Sequence, residues 1–491
     1  MAKTYKTPGV YVEEISLFPP SVAEVETAIP AFMGFTERGP KNTAKRISSI
    51  LEYQLLFGSS EPEKKIVVTV QNDNVEVDFE KDKNGASVKS NNVMYYAMQL
   101  YFANGGGPCY IVSAGNFADS ANASIDVYNA ALDVVAKEDE PTLLVFPDAP
   151  SILSSANYYA LQNNALQQCA KLGDRFAIID VVDKGDLKAS KDDFRNTISA
   201  NIEQAKYGAA YFPNLKTVLS YSVDEDSITA AVEERPVEVP AAAAATVEPT
   251  PGAAGAEPAA GRRPPRPTPS PSAQRKKFSE LSNALQNQIR QKIRDSLTVD
   301  LPPAAAVAGV YASIDNARGV WKAPANVSLN YVKAPSLKIT DDDQEDLNID
   351  VTAGKSINAI RAFTGKGTKI WGGRTLAGND NEWRYINVRR FFNMVEESVK
   401  KSTYWAVFES NDVNTWTKVR AMIENYLILK WKDGALAGAK PDDAFFVHVG
   451  LGQTMSPMDV LEGRMIVEIG LAAVRPAEFV ILKFSHKLQT S

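Results

Sequence analysis

Histidine is almost missing from this 491-residue chain: His448 and His486 are the only two. A chain so short of imidazole has little with which to build histidine-ligated metal sites or the commonest acid–base pairs, and this leans against an enzyme. Cysteine is as scarce. Cys109 and Cys169 each sit in an apolar stretch, cannot build a disulfide framework, and read as small core residues of a protein assembled in a reducing compartment. An excess of positive charge is missing too: 53 Lys+Arg against 59 Asp+Glu give −6, which excludes a global basic field for a nucleic acid backbone. No window approaches about 18 consecutive apolar residues, so no membrane insertion is expected. The opening Met1-Ala2-Lys3-Thr4-Tyr5-Lys6 has no apolar core behind its charges, and the expectation is cytoplasmic assembly without a signal peptide.

What is present is the balance of a globular protein: 44% hydrophobic and 23% charged residues, enough for large cores, and a length that implies about three domains at roughly 150 residues each. The sharpest boundary is compositional. Residues 236–273 hold 10 of the 28 prolines among many alanines, so they bury too little to offset chain entropy and read as an extended surface spacer. Behind it, Phe278, Leu281, Leu285, Ile289, Ile293 and Leu297 recur every three or four residues, predicting an amphipathic helix over 274–297.

Ahead of the spacer, strand-like and helical periods alternate, which is the pattern of an α/β layer. Helices are expected over 92–102, 155–172 and 191–206, and strands over 109–112, 143–146 and 176–181. Alternating Val67, Val70, Val75, Val77 and Phe79 suggest a small hairpin insertion closed near Asn84-Gly85. After the spacer, 309–324 and Trp371-Gly372-Gly373-Arg374 read as turn-rich connections before an α+β segment. There, a helix over 386–401 puts Val388, Phe391, Phe392, Val395 and Val399 on one face and leaves Arg389, Arg390, Lys400 and Lys401 outside. A strand over 404–408 and a helix capped at Asn411 or Asp412 follow, then strands over 444–449, 465–471 and 478–487.

Catalytic and binding motifs dissolve on inspection. Gly105-Gly106-Gly107 follows a helix instead of opening one, and Gly365-Lys366-Gly367-Thr368 lacks the first glycine of a phosphate loop; both read as turns. The run Asp341-Asp342-Asp343-Gln344-Glu345-Asp346 lacks the glycine and terminal glutamate spacing of a calcium loop and reads as a solvated acidic turn. No serine elbow exists, and His448 lies in the strand-like Phe445-Phe446-Val447-His448-Val449 as a packed residue. Arg262-Arg263-Pro264-Pro265-Arg266-Pro267 reads as a solubilising linker before an SH3-type ligand. The two ends are more informative: 8–15 and 478–487 are extended, strand-prone arms able to add to a neighbour's sheet edge or to pair within their own domain.

Several separate motifs, in order along the chain, resemble the contractile tail sheath family of myophages and phage-tail-like injection particles. They are Thr7-Pro8-Gly9-Val10-Tyr11-Val12-Glu13-Glu14-Ile15, Ala31-Phe32-Met33-Gly34-Phe35-Thr36-Glu37-Arg38-Gly39-Pro40 and Asn104-Gly105-Gly106-Gly107-Pro108-Cys109-Tyr110. Further along come Arg318-Gly319-Val320-Trp321, Trp371-Gly372-Gly373-Arg374, Glu382-Trp383-Arg384-Tyr385-Ile386-Asn387-Val388-Arg389-Arg390 and Pro476-Ala477-Glu478-Phe479-Val480-Ile481. Two stretches, 66–88 and 224–301, depart from the pattern and read as insertions, the second expected on the outer particle surface.

The resemblance implies an α/β and α+β multidomain fold. Its expected parts are an exchange arm at 1–25, an α/β sheath domain over 26–223 with a small β insertion at about 61–90, a surface insertion over 224–300, a return to the middle domain over 301–350, and a C-terminal domain over 351–491. It also implies a structural, non-enzymatic subunit without cofactor that forms hexameric rings around an inner tube and contracts, with baseplate and terminal cap proteins as further partners. Val10, Tyr11, Val12 and Glu13, with Phe479, Val480, Ile481, Leu482 and Phe484, would exchange strands between subunits. Arg389, Arg390, Lys400, Lys401, Lys418 and Arg420 would offer breakable charge contacts to the tube. A complete phage tail and a headless injection particle remain alternatives, as do an α/β enzyme with a proline-rich linker and a surface scaffold.

Overall fold

The computed structural model describes residues 22–71, 74–83, 85–233 and 274–481. The expected N-terminal exchange strand, the spacer and residues 482–487 of the C-terminal strand lie outside these. The described residues divide into two units: 22–60, 91–217 and 300–481 form the first, and 61–90 with 218–299 form the second.

The first unit is built on a nine-stranded sheet: β1 Pro30–Thr36, β2 Ala44–Ile47, β3 Cys109–Asn116, β4 Leu143–Val145, β5 Phe176–Asp180, β6 Gly208–Phe212, β7 Val327–Ser328, β8 Ile357–Phe363 and β9 Gly367–Ile370. Their spatial order is β7-β9-β8-β6-β5-β4-β1-β3-β2. The six strands from β8 to β3 run parallel, and antiparallel strands close both edges. Such strands are covered on both faces, and period-two alternation in β1 shows how. Ala31, Met33 and Phe35 pack in one core with Tyr128, Leu132, Leu161 and Ala165 of the helices Ile125–Val135 and Ser155–Leu172. Phe32 turns the other way, its ring 4.9 Å from Tyr101 of the helix Met94–Ala103.

That second face holds the helix Ala304–Arg318, where turn-rich chain was expected. Gly309 looked like punctuation but serves close packing: a β-carbon there would lie 2.4 Å from the Tyr101 carbonyl. A helix apolar nearly all round, as this one is, belongs in a core. Other differences have equally local causes. The expected helix over 191–206 is two, Leu187–Thr197 capped by Asp186 and Ile202–Ala205 capped by Asn201, separated by extended Ile198. The acidic run is the helix Asp341–Asn348, started by a Thr340/Asp343 capping box. Residues 404–408 form a 3₁₀ turn, Tyr404–Ala406, instead of a strand. Residues 357–370, within the range expected for the C-terminal domain, form strands β8 and β9 and extend the large sheet through parallel pairing of β8 with β6.

The second unit is a four-stranded sheet in the order Gln274–Lys277, Thr229–Glu233, Ile66–Gln71, Asn74–Phe79, with the helix Asn283–Ser296 against the last strand. Both stretches that depart from the family pattern thus contribute strands to one sheet. Its hairpin pairs Gln71 with Asn74, so it closes there and not at Gly85, which sits in a second, smaller turn. The expected helix over 274–297 starts only at Asn283, where the Ser282 hydroxyl accepts from the Leu285 N–H; the residues before it pair as an edge strand.

Candidate assembly interface

The helices Ile386–Ser402 and Val413–Lys432 share an apolar cluster through Phe391, Val395, Val419, Ile423 and Leu427. Beside them lies a two-stranded sheet, Phe445–His448 against Glu468–Leu471, in which the Phe446 ring covers Gly470 and stacks on His448 at 4.7 Å. Among the described residues no third strand joins either edge. A groove of about 740 Å³ runs here, lined by Val399, Val407, Phe408, Val419, Met465 and Val467 among others. Phe408 on its rim is fully exposed and held at φ +67°, a conformation that non-glycine residues rarely adopt.

The first described residues are rooted at this domain, and Glu478, near the last, is rooted at the nine-stranded layer and at Tyr385. Val22 is buried in the cluster, and the Ala23 and Val25 N–H groups donate to Ser402 and Ser398, each at 3.1 Å. Glu24 pairs with Lys430 at 2.6 Å. At the other end, the Glu478 carboxylate accepts from Arg374 Nε at 2.8 Å and Nη2 at 2.7 Å, from Asn348 at 2.8 Å and from Tyr385 at 3.1 Å. Burial works to raise this carboxyl, but the Arg374 and Asn348 hydrogen bonds and the Arg374 charge outweigh it and hold it below the usual range. Immediately beyond, Phe479, Val480 and Ile481 are 68%, 76% and 79% exposed and form no strand. Val10, Tyr11, Val12, Glu13, Leu482 and Phe484 lie outside the described residues.

The six basic residues do not form one outward face. Arg389 and Arg390, expected outside, are only 2% and 4% exposed. Arg389 donates to Asn393 at 2.7 Å and Glu396 at 2.9 Å and lies among the rings of Trp383, Tyr207 and Phe392. Arg390 forms an ion pair with buried Asp315 and donates to the Thr27 carbonyl at 3.0 Å. Lys400 pairs with Glu397 at 3.0 Å and Lys401 with Asp139 at 2.9 Å. Lys418 and Arg420 are exposed on the next helix, Arg420 pairing with Glu424 at 2.7 Å. The correction has a plain cause. A helical wheel sorts residues by polarity, whereas this helix is packed on nearly all sides through Ser398, so its early arginines have no outer side to occupy.

The α/β layer offers no comparable opening where a ligand would be sought. In the order β3-β1-β4-β5-β6 the chain reverses direction of winding between β1 and β4, and doubly wound sheets bind ligands outside the strand ends at such a point. Here the place is filled by Asp148. Its carboxylate accepts from the Phe35 N–H at 2.6 Å and the Tyr128 hydroxyl at 2.8 Å, and it sits where a side chain on Gly34 would go. Burial pushes Asp148 up to about 7, against those two hydrogen bonds. Asp180, at the end of β5, is pushed by burial up to about 8 while accepting from the Ala304 N–H at 2.7 Å, which caps the Ala304–Arg318 helix. Among the described residues there is no cluster of metal-ligating side chains, and no helix long and apolar enough to cross a membrane.

Residues 378–487 match the family described as the phage tail sheath C-terminal domain. Over its full length the chain is similar to the helical sheath of the anti-feeding prophage in its contracted state: 31% identity, TM-score 0.60, covering 99% of this chain and 100% of that one. The chain belongs to the contractile tail sheath family. The contracted sheath complex of the extracellular contractile injection system PVC is similarly related, at 28% identity and TM-score 0.59 over 99% of both chains. The tail sheath protein of Enterobacteria phage T4 is 30% identical over 131 residues, which is 26% of this chain and 19% of that protein. The match thus spans about a fifth of that curated relative.

Proposed function

We propose that this sheath subunit polymerises as stacked hexameric rings around an inner tube, grows on a baseplate under a terminal cap, and contracts from a metastable extended state to drive tube and tip through a target envelope. The observation that carries this reading is the end-to-end likeness to a helical sheath in its contracted state. Within the molecule it is supported by a two-stranded sheet that no third strand joins among the described residues, an apolar groove, and two arm roots. A strand arriving from a neighbour, either 8–15 or 478–487, satisfies edge N–H and C=O groups while leaving the bulky domains free to swing. The energy for contraction is then packing energy, with no catalysis by this chain; the filled crevice at Asp148 supports that part. Lys400, Lys401, Lys418 and Arg420 remain the candidates for salt-screened tube contacts, whereas Arg389 and Arg390 are withdrawn. Full-length likeness to injection-system sheaths favours a headless particle over a complete phage tail.

Removing residues 1–15 tests the reading. The truncated chain is expected to remain folded by circular dichroism and to form no long tubes in negative-stain micrographs, where the full chain gives hollow ridged cylinders with six-fold end views. Normal cylinders from the truncated chain would contradict strand exchange.

A further inference from the structure

The two arm roots share a device that strand exchange alone does not require. Each has a carboxylate, Glu24 or Glu478, held by a cation that the folded body buries, Lys430 or Arg374. Lys430 is fixed in turn by Asp433 at 3.3 Å and by the rings of Trp321 and Tyr426. Arg374 is fixed by Asn358, whose side chain accepts from the Arg374 N–H and donates to its carbonyl, both at 2.8 Å. Behind Glu24, Thr27 is tied to Asp315 at 2.6 Å and to Arg390 at 3.0 Å. The change from held to free chain at the C-terminal root takes a single residue, from Glu478 to exposed Phe479.

We propose that Glu24–Lys430 and Glu478–Arg374 are clamps that fix where the two arms leave the body, so that force carried by exchanged strands enters the subunit there and does not peel the arms away. The inference rests on the strand-exchange reading above. Its physical basis is that an extended chain pulled along its length loses backbone contacts one at a time. The bidentate, charge-assisted Glu478–Arg374 pair must instead break several bonds together, and at the other root the single Glu24–Lys430 contact adds to the Ala23 and Val25 hydrogen bonds on either side of it. Arginine suits the C-terminal clamp because its planar fork meets both carboxylate oxygens, as Nε and Nη2 do here.

The full chain carrying Glu24→Gln, Glu478→Gln or both is compared with wild type and with the 1–15 deletion. The readouts are the melting temperature of the free subunit, the helical rise and rotation of its tubes, and tube length before and after controlled shear. The expected result is unchanged helical parameters and a lower melting temperature wherever Glu478 is replaced, because Arg374 loses its charge partner, with tube length after shear falling severalfold in the double variant and less in each single one, and further than in a layer variant of equal melting temperature. Arg374→Lys, which keeps the charge and loses the fork, is expected to behave like Glu478→Gln. Double-variant tubes as long and shear-resistant as wild type would overturn the clamps. So would an equal tube loss in a layer variant of the same melting temperature, because it would assign both pairs to fold stability. Normal tubes from the 1–15 deletion would instead bring down the exchange reading itself.

Discussion

The nine-stranded layer and the C-terminal domain solve the same problem of covering a sheet in opposite ways. Every central strand of the layer is paired on both sides and packed on both faces, and the crevice at its reversal of winding is filled by Asp148. The C-terminal domain has two paired strands that no third strand joins among the described residues, an apolar groove and exposed Phe408, Phe479, Val480 and Ile481. The first is complete in one chain; the second has the chemistry of a domain that a neighbour completes. On the proposed strand exchange the difference separates stability from assembly: the layer resists change while the two-stranded sheet takes the contacts with other copies.

Substitutions can press on that contrast, and the largest effect belongs in the layer. Phe32→Ala removes a ring packed against Tyr101 and is expected to cost about 3–5 kcal/mol in urea denaturation. Phe408→Ser, at an exposed position, is expected to leave the free subunit's midpoint unchanged and to impair tube formation. Equal losses of subunit stability would erase the distinction. Asp315→Ala strands Arg390 in a buried site and is expected to cost about 3–5 kcal/mol. Lys418→Glu, on the exposed face of the next helix, should stay within about 0.5 kcal/mol in the same assay while altering tube binding.

The smallest effect is a pH slope. Asp148 and Asp180 titrate near 7 and 8 in the fold, above the about 3.9 of an unfolded aspartate. Between those values the folded chain binds more protons than the unfolded one, so this contribution to stability falls as pH rises and is fully lost above about pH 8. Asp148→Asn removes one such group, so its melting temperature should gain on wild type as pH goes from about 5 to about 8. Parallel melting curves across that range would remove the buried carboxylate from the account.

Much of the layer was legible because its signals are local. The 155–172 helix has the boundaries that its apolar spacing suggested, and Asp412 caps the 413–432 helix through the Thr415 N–H. What local period cannot carry is partnership over distance. Nothing within 61–90 or 218–299 announces that Thr229–Glu233 runs parallel to Ile66–Gln71, because register is set by the facing strand. The same limit misplaced Arg389 and Arg390, whose polarity says only that they need partners and not whether water supplies them. Asp315, which pairs with Arg390, and the Tyr207 ring beside Arg389 come from elsewhere in the chain. The clamp at Glu478 was also missed, although Trp371-Gly372-Gly373-Arg374 and Pro476-Ala477-Glu478 both stood out as family motifs. Two motifs far apart in sequence, each with one unexplained charge, were the available signal.

The most direct test is hydrogen–deuterium exchange of the strands Phe445–His448 and Glu468–Leu471 in the free subunit and in assembled tubes. If a neighbour completes this sheet, its edge amides exchange rapidly in the free subunit and become protected in the tube, together with amides in 8–15 and 478–487, while β1 and β4 to β6 stay protected in both. Edge amides that exchange equally in both states would show that the domain is finished without its neighbours.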